Sequence, residues 1–311
     1  MTATAHVDPF VLDNLPPRET WPDLIFETPE LRFPDRLNAT VALLDRAIAE
    51  GHGDRLAIVG RDVRWTYREL ASRVDRLARH LTETLGLVPG NRVLLRGANT
   101  PWFAVCWLAV WKAGGVAVGT MPLLRAKELK QILGLARIGH ALCDRALAEE
   151  LELARPDCPD LRCVEYYGDD AFEARIAATD EGFVAVDTAA DDPALIAFTS
   201  GTTGVPKGCI HAHRDVLAMC EVFPRHCLKP GPDDVFIGTP PLAFTFGLGG
   251  LLCFPLWARA ATVLLEKLSP DALIAAIETH RATICITSPT AYRQMTPLVA
   301  GRDLSALKKC V

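Results

Sequence analysis

The chain alternates short apolar segments with helix-forming stretches from residue 92 to its end. Each apolar segment has the length and composition of a buried strand, and together they cover residues 92–96, 116–118, 140–143, 162–166, 195–198, 235–238, 262–265 and 283–286. Parallel strands need long crossovers, which helices usually provide, so the alternation favours mostly parallel sheets with helices on both faces. The predicted fold class is α/β, with doubly wound parallel sheets and flanking helices.

The N-terminal part of the chain predicts a different set of elements. A helix is expected over residues 38–50 and a hairpin over residues 56–67. A second helix is expected to begin at Thr66, because Thr66-Tyr67-Arg68-Glu69 has the form of a capping box. The polar segment 179–192 suggests a boundary between subdomains. The predicted division is an extended, proline-rich arm at 1–36, a first α/β subdomain at 37–180 and a second α/β subdomain at 181–311.

Composition limits the classes of function. Of the 311 residues, 50% are hydrophobic and 23% are charged, which is typical of a globular protein with a large core. The net charge of −5 gives no general attraction to nucleic acid or to an anionic membrane. The 10 cysteines are scattered without a Cys-x-x-Cys pair, and acidic residues interrupt the N-terminal segment where a signal peptide would be apolar. We expect free thiols and a cytoplasmic location, and the oligomeric state stays open.

The segment after the strand at 195–198 carries the strongest functional signal. Its sequence is Thr-Ser-Gly-Thr-Thr-Gly-Val-Pro-Lys-Gly over residues 199–208. Glycines expose consecutive backbone N–H groups, hydroxyls add donors and Lys207 adds a positive charge, so the segment is suited to hold phosphate. Ligands of open α/β sheets bind beyond the carboxyl ends of strands, which is where this segment lies.

The common phosphate-binding motifs differ from this loop. A Walker motif needs Gly-Lys followed by Ser or Thr, whereas Lys207 lies between Pro206 and Gly208. The loop also lacks the dinucleotide pattern Gly-x-Gly-x-x-Gly, and a nucleophile elbow would need glycine at Phe198 and Thr202. Position by position, the loop instead resembles the signature of the adenylate-forming enzymes, which include acyl- and aryl-CoA ligases, luciferases and peptide-synthetase adenylation domains.

Further segments extend this resemblance over nearly the whole chain. Residues 240–249 are similar to the aromatic motif beside the acyl pocket of the family, and Phe244 stands where many fatty-acyl members have His. This form, together with Asp13-Asn14-Leu15-Pro16-Pro17 in the N-terminal arm, is closer to benzoate-type and 2-aminobenzoate-type CoA ligases. Glycines near Phe244 are expected to leave room for a flat ring. The implied pocket residues are Ala243, Phe244, Thr245, Phe246 and Gly247, with Thr290 and Tyr292 as weaker candidates.

The resemblance implies a two-step reaction that uses ATP, Mg²⁺ and coenzyme A. A small-molecule carboxylate attacks the α-phosphate of ATP, giving an acyl-adenylate and pyrophosphate, and the thiol of coenzyme A then takes the acyl group. The hydroxyls and the lysine of the loop would hold the β- and γ-phosphates, and its glycines would allow close backbone approach. The implied ATP-binding residues are Thr199, Ser200, Gly201, Thr202, Thr203, Gly204 and Lys207.

The chain ends at Val311, before several segments that the resemblance leads us to expect. These are an adenine-side segment of small residues, a motif whose Glu helps to hold Mg²⁺, a ribose-binding Asp and a C-terminal domain with the catalytic Lys. The expectation is an N-terminal fragment, truncated within a domain, with no assigned catalytic residue or metal ligand and no CoA thioester formation by itself. The alternatives left open are a fatty-acyl-CoA ligase, an adenylation enzyme that loads a carrier protein, and a nucleotide-binding fragment without turnover.

Two short patterns after the loop are expected to be structural. His211 and Asp215 match the His-x-x-x-Asp pattern of some acyltransferases, and His213-Arg214-Asp215 mimics a kinase catalytic loop whose required Asn falls on Cys220. Such short patterns recur by chance. We expect a strand end and a helix cap at these residues, and a core position for Trp257.

Overall fold

The computed structural model describes residues 3–199, 206–266 and 269–311. In this part of the chain, twelve strands form two six-stranded sheets. The strands are β1 (Leu56–Val59), β2 (Arg64–Thr66), β3 (Arg92–Arg96), β4 (Val116–Thr120), β5 (His140–Asp144), β6 (Cys163–Tyr167), β7 (Pro193–Thr199), β8 (Lys207–Ala212), β9 (Val235–Gly238), β10 (Ala261–Val263), β11 (Ile284–Ile286) and β12 (Lys309–Cys310).

Helices connect most of the strands. They are α1 (Phe10–Asp13), α2 (Tyr67–Arg79), α3 (Pro101–Lys112), α4 (Ala126–Leu135), α5 (Ala148–Ala154), α6 (Asp170–Ala177), α7 (His213–Phe223), α8 (Thr245–Leu248), α9 (Phe254–Trp257), α10 (Pro270–His280) and α11 (Pro289–Met295). Wider helical turns lie at Val41–Asp45, Ile48–His52, His80–Thr84, Pro224–Leu228 and Gly249–Cys253. The predicted capping box is present, since Thr66 Oγ1 accepts from Glu69 N at 3.2 Å and Thr66 N donates to Glu69 Oε2 at 2.8 Å.

Both sheets are mostly parallel, which confirms the predicted fold class. The first sheet has the strand order β6-β5-β3-β4-β7-β8, and only β8 runs antiparallel to its neighbour. The second sheet has the order β12-β11-β9-β10-β1-β2, with β2 as its antiparallel edge. Each of the eight apolar segments predicted to be strands overlaps one of these strands.

Strands from distant parts of the chain share each sheet. The early hairpin β1–β2 completes the second sheet, whose other strands all follow residue 235, whereas β7 and β8 complete the first sheet. Each sheet therefore contains strands from both sides of residue 180. The hydrophobic pattern of a sequence locates a strand but does not show which sheet the strand joins. The division into segments 37–180 and 181–311 stays a prediction.

The largest hydrophobic core of the described residues includes residues of both sheets. It contains Ile58 and Phe236 of the second sheet, Val93 and Ala117 of the first, and the apolar residues of α3. Every residue of α3 except Trp102 is buried, so this helix forms part of the core. No helix of the described residues combines the length and apolar character that a membrane span requires.

Candidate active site at the carboxyl edge of the first sheet

The phosphate loop predicted from the sequence lies between β7 and β8 in the chain. Strand β7 begins in the core and ends at the exposed Thr199. Thr199 and Lys207 are partner residues of the antiparallel ladder, and the Thr199 hydroxyl donates to the Lys207 carbonyl at 3.5 Å. The other predicted ATP-binding residues, Ser200, Gly201, Thr202, Thr203 and Gly204, lie outside the described residues. Their assignment stays a prediction.

Lys207 presents its charge at the rim of the sheet. Its side chain is exposed and forms no ion pair within the described residues. The next residue, Gly208, faces Phe198 across the ladder, and a Cβ placed there would lie 2.8 Å from Ile196 Cγ2. The glycine thus lets the two strands close up directly behind the lysine.

The base of the hairpin is anchored by a buried carboxylate that the sequence analysis missed. Asp192, directly before β7, is 2% exposed and accepts from Ala189 N at 2.9 Å and from Ala5 N at 3.0 Å. Its backbone carbonyl accepts from His213 N at 3.1 Å, which joins the start of β7 to the residue after β8. An acidic residue next to a strand carries no sequence signal for this role. The base of the β7–β8 hairpin is therefore held in place by these hydrogen bonds.

His213 and Asp215 have the structural roles expected of them. Strand β8 ends at Ala212, helix α7 begins at His213, and Asp215 Oδ2 accepts from Ala212 N at 2.8 Å as a helix cap. His213 is fully buried, and its Nδ1 accepts from Ala39 N at 3.1 Å. The imidazole is therefore uncharged, and it packs in the protein interior at the base of the hairpin.

The buried imidazole of His213 predicts a pH-dependent stability. Burial lowers its pKa from 6.5 to about 3, and the nearby His6 adds to the effect while Asp192 opposes it. The unfolded chain therefore binds a proton at this residue at pH values where the folded protein does not, and stability falls as the pH decreases below 6.5. We expect the urea midpoint to drop between neutral pH and about pH 5, and to drop less in His213→Gln, whose side chain does not titrate. An equal drop in both proteins would contradict this account.

The aromatic segment after β9 lies against the same edge of the first sheet. Asn99, which follows β3 and is 4% exposed, donates to Pro240 O at 2.9 Å and accepts from Leu242 N at 2.8 Å. At the end of β4, a Cβ on Gly119 would lie 2.8 Å from Ala243 O. The carboxyl ends of β3 and β4 therefore seat this segment beside β7, the neighbour of β4. Sequence reasoning missed Asn99, which lies three residues after the end of β3.

The two phenylalanines of the segment are partly open to solvent. Phe244 is 47% exposed and Phe246 is 44% exposed, and Thr245 between them is exposed as well. Gly247 is buried, and a Cβ there would lie 2.0 Å from Pro241 O. This corrects the expected reason for the glycine, because the freed space is filled by backbone rather than left for a ring. The pocket assignment of residues 243–247 stays a prediction.

Replacing Gly247 by alanine is expected to lower the free energy of unfolding by about 1–3 kcal/mol, because the new Cβ would overlap a backbone oxygen. Gly134 in α4 provides a matched control, since nothing lies within 4 Å of a Cβ at that position. Gly134→Ala is expected to stabilise the protein by about 0.5–1 kcal/mol. Urea denaturation measures both variants, and an unchanged stability of Gly247→Ala would contradict the close approach described above.

The weaker pocket candidates lie beyond the end of β11. Thr290 is exposed in the first turn of α11, whose cap is Ser288, the acceptor for Ala291 N at 3.2 Å. The Tyr292 hydroxyl donates to Cys285 O at 2.7 Å and accepts from Val311 N at 3.1 Å. The hydroxyl is therefore engaged with backbone groups. Within the described residues, no hydrogen bond joins Thr290 or the end of the β7–β8 hairpin to the aromatic segment.

Comparison with known proteins gives a family for this arrangement. The model of the AMP-binding enzyme family matches residues 45–311. The chain belongs to this family. The family resemblance predicted from the loop is thereby confirmed, and the hairpin and the aromatic segment are parts of an AMP-binding enzyme.

Individual relatives of this AMP-binding enzyme support the assignment. The benzoate–CoA ligase of Thauera aromatica is 31% identical over 274 residues, which are 86% of this chain and 51% of that protein. The structure of the anthranilate CoA ligase AuaEII with anthranoyl-AMP has a TM-score of 0.84 at 24% identity, over 91% of this chain and 56% of that one. ATP-bound MatB from Rhodopseudomonas palustris has a TM-score of 0.79 at 27% identity, over 88% and 54% of the two chains. The chain spans about half the length of the curated relatives it matches.

The described residues of this AMP-binding enzyme contain no preformed cluster of metal ligands. Within them, no three His, Cys, Asp or Glu side chains cluster in a way that could hold a metal ion. We therefore assign Mg²⁺ to none of the described residues.

Proposed function

We propose that the protein carrying this chain activates an aromatic carboxylate with ATP and then transfers the acyl group to coenzyme A. The observation that carries the proposal is the shared position of two segments at one sheet edge. The β7–β8 hairpin presents Lys207 there, and Asn99 and Gly119 seat the aromatic segment on the neighbouring strand ends. An anion and an apolar ring could therefore bind side by side, as a carboxylate and ATP must do before they react.

The first step needs positioning and charge neutralisation more than covalent help from the protein. A carboxylate oxygen forms a bond to the α-phosphorus of ATP, the bond to the bridging oxygen breaks, and pyrophosphate leaves with the electron pair. Lys207, exposed and without an ion-pair partner in the described part of the chain, is suited to balance charge on the β- and γ-phosphates. In the second step the thiol of coenzyme A attacks the acyl carbon and AMP leaves.

The aromatic substrate class rests on the half-exposed ring pair and on the relative of known specificity. Phe244 and Phe246 offer flat apolar surface at the sheet edge, which suits a benzoate-like ring. The relative from Thauera aromatica is a benzoate–CoA ligase. Mg²⁺ as a helper of ATP and a cytoplasmic location remain predictions from the sequence.

Benzoate and 2-aminobenzoate are expected to be turned over faster than octanoate. An apolar pocket discriminates by about 1–3 kcal/mol for one misfitting methylene, so the ratio of kcat/KM values should be at least tenfold. The comparison needs the protein that carries this chain, with CoA thioester formation measured for each acid at matched ATP. A kcat/KM for octanoate equal to that for benzoate would favour the fatty-acyl alternative.

Product analysis tests the proposed reaction. The protein is incubated with ATP, benzoate and coenzyme A, and the proposal requires benzoyl-CoA and AMP in equal amounts. Transfer to a carrier protein but not to coenzyme A would favour the carrier-loading alternative. ATP binding without AMP formation would favour nucleotide binding without turnover and would overturn the proposal.

A further inference from the structure

Two cysteines are direct neighbours across the last strand pair. Cys285 on β11 and Cys310 on β12 are partner residues of a parallel ladder. Facing residues of neighbouring parallel strands lie on the same side of the sheet, and the strands are about 4.7–4.9 Å apart. A disulfide usually joins Cα atoms about 4.4–6.8 Å apart, so this register places the two Cα atoms within the range that a disulfide requires.

The Tyr292 side chain lies at the same strand pair. Its hydroxyl donates to the backbone carbonyl of Cys285 at 2.7 Å. The backbone N–H of Val311 donates to the same hydroxyl at 3.1 Å. One side chain thus touches both strands at the level of the cysteines.

The two thiols differ in access to solvent. Cys310 is exposed, whereas Cys285 is buried in the cluster under α10 and α11. Burial raises the pKa of the Cys285 thiol to about 11, and the neighbouring Cys310 acts in the same direction. An oxidant in solution therefore meets Cys310 first, and Cys285 is the thiol placed to react with the oxidised sulfur.

We propose that Cys285 and Cys310 form a reversible disulfide when the protein meets hydrogen peroxide, and that this bond fixes β12 to β11. The Cys310 sulfur attacks one peroxide oxygen, the O–O bond breaks, and a sulfenic acid and one water form. The Cys285 sulfur then attacks the Cys310 sulfur, the S–O bond breaks, and the hydroxyl leaves as a second water with the proton of Cys285. Two thiols are oxidised and one peroxide is reduced.

Backbone pairing continues on both sides of the two cysteines. Strand β12 pairs with β11 through Ile284–Lys309 and Cys285–Cys310. Thr287 N donates to Val311 O at 2.9 Å just beyond this pair, so the bond would stiffen the carboxyl edge of the second sheet. The inference does not depend on the proposed function.

Peptide mapping of the folded protein tests the pair. The protein is treated with hydrogen peroxide, free thiols are then alkylated under denaturing conditions, and the digest is analysed by mass spectrometry. We expect a cross-linked peptide that contains Cys285 and Cys310, that disappears after reduction with dithiothreitol, and that is absent from Cys310→Ser. Cys310 is exposed, so this variant should fold normally.

Cys209→Ser is the matched control, because Cys209 is also exposed on an edge strand but faces Ala197 rather than a cysteine. This variant should keep the Cys285–Cys310 cross-link at the level of the unmodified sequence. The unfolding temperature should rise on oxidation in the control and stay unchanged in Cys310→Ser. Overoxidised Cys310 without a cross-link, a Cys310 thiol that does not react, or a cross-link to other cysteines at equal yield would each overturn the proposal.

Discussion

Lys207→Ala is expected to weaken ATP binding about 10- to 150-fold, because a charge-assisted contact contributes about 1.5–3 kcal/mol. The lysine is exposed at the end of the β7–β8 hairpin and has no ion-pair partner within the described residues, so its loss should not disturb the fold. Calorimetric titration with ATP measures the change in Kd. Urea denaturation of the same preparation should give an unchanged free energy of unfolding.

Lys127→Ala is the matched control for this experiment. Lys127 is exposed in the first turn of α4 and also has no ion-pair partner in the described part of the chain. This variant also removes one lysine charge, so it controls for the effect that a change in the net charge of the protein has on ATP binding. Equal ATP affinity of Lys207→Ala and Lys127→Ala would exclude Lys207 from the nucleotide site.

Asn99→Ala is expected to destabilise the protein by about 2–4 kcal/mol, because it leaves a buried carbonyl and a buried N–H without partners. These are the Pro240 carbonyl and the Leu242 N–H that hold the aromatic segment on the first sheet. The loosened segment should also raise KM for the carboxylic acid more than KM for ATP. Urea denaturation and steady-state kinetics measure the two effects.

Asn91→Ala separates the effect on the segment from a general loss of stability. Asn91 also makes two hydrogen bonds, to Asp8 Oδ2 at 2.8 Å and from Val88 N at 3.1 Å, but it lies at the amino edge of the first sheet. This control should lose stability without a selective change in KM for the acid. If both variants change the two KM values alike, the Asn99 contacts do not position the acid site.

Local structure was predictable from the sequence wherever one pattern determines it. The apolar segments located the strands, and Thr66 and Glu69 fixed the start of α2, because these features depend on neighbouring residues alone. The grouping of strands into sheets was not predictable in this way. The early hairpin β1–β2 joins strands that lie far along the chain, and only tertiary packing decides that choice.

The residues of the candidate site were likewise predictable only where they belong to a contiguous sequence motif. The loop composition and the resemblance predicted site roles for Lys207 and the aromatic segment, because each lies within a contiguous motif of the sequence. The roles of Asn99 and Asp192 were not predictable from the sequence, because each side chain bonds backbone groups that are distant in the chain. The role of Gly247 was misjudged for a related reason, because only the fold shows that the Pro241 carbonyl occupies the space beside it.

Carboxylate-dependent exchange of pyrophosphate into ATP is the most direct test of the proposed activation chemistry. The assay uses the protein that carries this chain, with benzoate, 2-aminobenzoate or octanoate, and with Lys207→Ala and Lys127→Ala in parallel. We predict exchange that requires an added acid, is fastest with the aromatic acids, and falls at subsaturating ATP in Lys207→Ala but not in Lys127→Ala. ATP binding without any exchange, or exchange that is indifferent to Lys207, would contradict the account.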